Sequence, residues 1–68
     1  STIMIPKAPI KRILKSSGAK RVSKESVEAL VQLIEDRGTE IAAEALRLME
    51  HGKRRTLRKE DLELARIR

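Results

Sequence analysis

Along most of the chain apolar residues recur every three or four positions, the period of an amphipathic helix and not of a strand. Ile10, Ile13 and Leu14 fall at i, i+3 and i+4 behind Pro9, which suits a first helical position because no partner is needed there for its missing N–H. Gly18 supplies a left-handed stop. The pattern predicts a short helix opening at Pro9, with Lys11, Arg12 and Lys15 turned away from its apolar stripe. Residues 1–8 hold no helical period and contain Pro6, so they read as an N-terminal arm to one domain at 9–68. In the loop Ala19-Lys20-Arg21-Val22 only Val22 can anchor to a core, which leaves the basic residues pointing outward.

Ser23 is a good N-cap for a second helix, and Glu25 and Glu28 suit the positive end of its dipole. Val27, Leu30, Val31, Ile34, Ile41, Ala45 and Leu48 trace one stripe, and Gly38 falls on it where a large side chain would be expected. His51-Gly52 closes the pattern, with Gly52 as the expected stop. Such a helix is about 29 residues or roughly 44 Å long, whereas a compact chain of this size has a diameter near 28 Å. It overshoots its own globule, and two copies crossing at their middles would bury each other's stripes. The competing reading breaks the helix at Gly38-Thr39 and gives a four-helix monomer, since an interior Gly costs roughly 1 kcal/mol. Periodicity leaves both open. After the basic run Lys53-Arg54-Arg55, Thr56-Leu57 read as briefly extended, and a last helix begins near Lys59 with Glu60 and Asp61 in its first turn. Leu62 and Ala65, with Leu64 or Ile67, are expected to cover the long helix.

Composition adds a reason for a partner. The chain has 68 residues, no cysteine and no aromatic residue. A domain of about 60 residues buries only roughly 60% of its unfolded surface and usually needs a disulfide, a metal or a second chain. No disulfide can form, and the one histidine, His51, cannot assemble a zinc site; neither metal nor cofactor is expected. No stretch approaches the roughly 20 apolar residues of a membrane span, and residues 1–24 lack a signal-peptide core, so the expectation is an intracellular protein without a membrane partner.

Sixteen Lys+Arg against ten Asp+Glu leave a net charge of +6, unevenly placed. Ser1 to Lys24 carries seven bases and no acid, Glu25 to Glu50 nets −5, and His51 to Arg68 nets +4. Two basic ends on one surface would make a strong positive field, for which a polyanion is the natural partner. No catalytic constellation is present: there is no cysteine, one histidine and no glycine-rich phosphate loop, so the chain reads as a non-enzyme. Missing aromatics also count against single-stranded and RNA-binding modes, which stack bases on rings. Duplex backbone binding needs only Lys, Arg, backbone N–H groups and small hydroxyls such as Thr56.

The order Ala8-Pro9-Ile10, Arg12-Ile13-Leu14-Lys15, Gly18-Ala19-Lys20-Arg21-Val22-Ser23, Ile41-Ala42-Ala43-Glu44-Ala45 and Arg54-Arg55-Thr56-Leu57-Arg58-Lys59-Glu60-Asp61-Leu62-Glu63-Leu64-Ala65 closely resembles the archaeal histones, over essentially residues 6–65. That resemblance implies an all-α histone fold, in which short, long and short helices pair with a second copy in a handshake dimer. It favours the uninterrupted helix at Gly38. It also implies binding and wrapping of double-stranded DNA largely without sequence specificity, with dimers assembling into tetramers or larger superhelical chromatin on the chromosome, in the cytoplasm. The partner copy would be identical or a paralogous histone.

Position by position, the resemblance implies Arg21 in the minor groove and Arg12, Lys15, Arg55, Thr56 and Arg58 on phosphates. Arg54 would pair with Asp61 to brace the second loop. Leu48, His51, Asp61 and Leu64 would form a contact between dimers, the histidine bonding an aspartate across it. Gly18 would allow neighbouring superhelical turns to approach. Lys24 departs from the family pattern, where an acid is more usual, and Gly52 falls one place early. The last helix ends abruptly at Arg68 and four residues precede the usual beginning, which leaves filament geometry open. The alternative reading is a histone-fold subunit of a transcription-factor complex. Arg21, Arg54, Arg55 and Arg58 together favour packaging, because a purely protein-pairing subunit has no need of them.

Overall fold

A computed structural model describes residues 5–68; of the arm expected at 1–8, residues 1–4 lie outside the described residues. Three helices form, α1 (Lys7–Ser16), α2 (Lys24–His51) and α3 (Lys59–Arg66), and no strand occurs among the described residues. The chain divides into two compact units, Ser1–Glu35 and Asp36–Arg68, with α2 contributing its first half to one and its second half to the other.

α1 opens two residues earlier than Pro9, behind Pro6 at the N-cap. Pro9 is therefore the third helical residue, which costs little because N–H groups of a first turn have no intrahelical acceptor in any case. The helix ends where expected. Gly18 takes φ +114, its N–H bonds the Lys15 carbonyl at 3.0 Å, and the Ala19 N–H reaches the Leu14 carbonyl at 3.4 Å. This pair of bonds is the Schellman stop, and its positive φ favours glycine.

α2 runs for 28 residues, about 42 Å, without a break at Gly38. Ser23 caps it: the Ser26 N–H donates to Ser23 Oγ at 3.0 Å, and the Ser26 hydroxyl donates back to the Ser23 carbonyl at 2.8 Å. Every apolar side chain of the predicted stripe is buried or half-buried, whereas Leu33 and Leu46 lie off it and are exposed. A Cβ added at Gly38 would meet nothing within 4 Å, so nothing in this chain requires a glycine there.

Two expectations at the far end are corrected. The left-handed stop of α2 is Lys53, φ 59, and not Gly52: the Lys53 N–H bonds the Glu50 carbonyl at 2.9 Å and the Arg54 N–H bonds the Met49 carbonyl at 3.1 Å. Gly52 keeps an ordinary φ because the closing bonds fall one residue later. On α3 the buried positions are Asp61 and Ala65, four apart on one face, while Leu62, Leu64 and Ile67 stay exposed. Small residues at 61 and 65 set the register in which α3 lies down, so the larger apolar side chains are left outside.

The apolar interior is slight. Ile10 and Val27 are buried in the first unit, Ala45 and Ala65 in the second, and no large side chain among the described residues is fully enclosed. Ile13, Leu33, Leu46, Leu57, Leu62, Leu64 and Ile67 remain exposed. That inventory is small for a stable domain, in line with the need for a partner.

Candidate nucleic-acid interface

The first basic loop is built by two stops in succession. The Gly18 turn reverses the chain after α1, and the Ser23 cap starts α2. Between them Val22 is half-buried and holds the loop, while Lys20 and Arg21 are exposed. Arg12 and Lys15, three apart on α1, are exposed as well. The N-terminus of α1 has no side-chain cap and no acid in its first turn, so its positive end is uncompensated from within α1. One lysine of this unit is engaged, Lys7 with Glu28 at 3.4 Å.

The second loop is held by charge. The Arg54 guanidinium grips Asp61 with both Nη atoms, Nη1 donating to Oδ2 at 2.8 Å and Nη2 to Oδ1, and Nη1 also reaches the Thr56 carbonyl at 3.4 Å. Asp61 Oδ2 accepts the Arg58 N–H at 2.8 Å, half of a capping box at the start of α3. A bidentate guanidinium and a backbone N–H both favour the carboxylate form. The Arg54 hydrogen bonds, then that of Arg58, hold the Asp61 carboxyl down at about 2 from its usual 3.8, and Asp61 in turn raises the Arg54 guanidinium.

Gly52 has a reason to sit where it does, since an added Cβ would lie 3.1 Å from Arg54 Nε. The early glycine makes room for the arginine that folds back to Asp61, and Lys53 takes the left-handed turn instead. Arg55, Thr56 and Arg58 are exposed on the loop so fixed.

Sequence reasoning missed three features here. The Arg58 N–H bond to Asp61 was readable from an acid three residues after an N-cap position. The left-handed Lys53 had no local signal, because lysine does not prefer that conformation. On the second half of α2, Arg37 Nη2 donates to the Arg66 carbonyl at 3.1 Å and so caps α3, and Glu44 accepts from Arg47 Nε at 2.9 Å with Arg68 3.7 Å away. These depend on α3 lying against α2 and cannot be read from spacing.

Leu48 and His51 line a shallow cleft of about 230 Å³ with Glu44, Arg47 and Arg68. Asp61 is not part of that lining, and Leu64 is exposed on α3. Gly18 is exposed, with nothing within 4 Å of an added Cβ. Among the described residues no group of His, Cys, Asp and Glu could hold a metal, and no helix is long and apolar enough to cross a membrane.

Three helices in short, long, short order with a basic loop at each joint define a small all-α protein of the histone type. Residues 3–65 match the family described as histone-like transcription factor (CBF/NF-Y) and archaeal histone. Among similar proteins, the archaeal histone HAN1 of Thermococcus zilligii is 36% identical over 61 residues, 90% of this chain and 91% of that one. Probable archaeal histone 3 of Methanocaldococcus jannaschii is 39% identical over 61 residues, with the same coverage of both chains. The chain belongs to this family of histone-like transcription factors and archaeal histones, and its fold is the all-α histone fold.

Proposed function

We propose that this chain is a DNA-packaging histone: it pairs through α2 with a second histone-fold chain in a handshake dimer and wraps double-stranded DNA on the chromosome. Arg12, Lys15, Arg55, Thr56 and Arg58 contact phosphates, and Arg21 enters the minor groove. Dimers join through the face carrying Leu48, His51, Asp61 and Leu64, and Gly18 allows neighbouring turns to approach.

The observation that carries this reading is the pair of basic loops. Each is fixed by backbone stops or by the Arg54–Asp61 brace, and each leaves its remaining cations exposed. Such groups displace condensed counterions along the duplex and read deformability more than base edges. Wrapping by arginines at inward-facing minor grooves is the mode known for eukaryotic histones.

Nuclease digestion of the protein on long duplex DNA across a salt series tests the proposal. Protection should fall steeply as salt rises and vary little between unrelated sequences. Arg21→Ala or Arg55→Ala should each lower affinity on all of them, and each should reduce the salt slope by about one counterion. A variant that loses affinity for one sequence alone contradicts the backbone reading.

A further inference from the structure

The geometry points to Glu44, and not Asp61, as the carboxylate that receives His51 of a neighbouring dimer. This inference rests on the dimer-joining role proposed above and deepens it by naming the partner group.

Asp61 is poorly available. Its side chain is 6% exposed, and its two oxygens already accept three hydrogen bonds, two from Arg54 and one from the Arg58 N–H. A histidine arriving from another molecule would have to displace the brace that fixes the second loop or share an oxygen with little surface. Glu44 differs on each count. Its side chain is 26% exposed, Oε1 takes both contacts from Arg47, and Oε2 has only the Arg68 guanidinium at a loose 3.7 Å. It also lines the same cleft as His51, whose ring is exposed.

Spacing points the same way. Glu44 and His51 are seven residues apart on α2, two helical turns, and therefore share a face. Their midpoint falls between Arg47 and Leu48. Two α2 helices meeting antiparallel about a two-fold axis at that point place each Glu44 opposite the other chain's His51, with Leu48 near the axis. A patch holding donor, acceptor and apolar centre is self-complementary, as a two-fold contact requires. Its occupant is a second copy of this chain. Arg47 and Arg68 set the rotamer of Glu44, and Asp61 supports the contact indirectly by keeping the start of α3 in place.

The test uses the full chain on duplex DNA, with two readouts. One is affinity for a duplex short enough for a single dimer. The other is the ladder of nuclease-protected lengths on long duplex, which reports stepwise joining. Glu44→Gln should leave the first unchanged and weaken growth beyond the first step by at least about tenfold, as removal of a paired charge at an interface does. Glu44→His and His51→Glu should each lose the ladder, and the doubly exchanged chain should regain it. A ladder that survives Glu44→Gln, or a double exchange that restores nothing, overturns the assignment while leaving dimer joining intact. An unsubstituted protein that gives no ladder overturns both.

Discussion

The two halves of this chain are basic for different purposes. Residues 1–35 carry seven bases against three acids, and the one ion pair identified there is Lys7–Glu28. Their loop is shaped by backbone devices, a left-handed glycine and a serine cap. Residues 36–68 carry nine bases against seven acids, and Arg37, Arg47, Arg54, Lys59 and Arg68 all lie within 4 Å of a carboxylate. Their loop is shaped by charge. One end keeps its cations on the outside because glycine and serine shape the backbone, while the other divides its arginines between bracing and exposure.

The sharpest way to break that contrast is at the brace. Asp61→Asn removes the acceptor charge and should lower the melting temperature by an amount on the order of 10 °C, because a largely buried guanidinium pair loses one member. Arg21→Ala, by contrast, should cost DNA affinity and leave thermal stability nearly unchanged, since the residue is exposed and stabilises no loop. Equal melting losses at both positions would erase the distinction.

Acid titration approaches the same point from another side. The folded-state pKa of Asp61, about 2, lies below its ordinary 3.8, so its contribution is complete above about pH 4 and is lost as pH falls toward 2. Melting curves between pH 5 and 2 should show this loss in the unsubstituted chain and a flatter profile in Asp61→Asn.

Smaller effects sharpen the comparison of the two stops. Lys53→Gly should stabilise by about 1 kcal/mol, because glycine adopts φ near +60 without the clash a Cβ meets. Ser23→Ala should destabilise by about 1 kcal/mol through loss of the α2 cap. Denaturant titration measures both. Gly38→Ala probes the span between the two ends. Its methyl meets nothing in the chain and improves helix propensity by roughly 1 kcal/mol, yet it should weaken dimerisation if two α2 helices cross there. Sedimentation across a concentration series reads the outcome.

Much of this protein was legible in the order of its residues. Helix number and type, the Gly18 stop, the Ser23 cap and the stripe from Val27 to Leu48 follow from local rules, because a helix is made by contacts no more than four residues apart. Positions of exposed cations in the loops follow as well, since polar residues between two stops have nowhere else to go. Tertiary structure alone decided the rest. The register of α3 that buries Asp61 and Ala65, the left-handed Lys53 that leaves Gly52 free for Arg54, and the cluster of Glu44, Arg47 and Arg68 each depend on groups brought together from separate elements. Local spacing carries no record of such meetings, because their energy arises only once one helix has lain down against another.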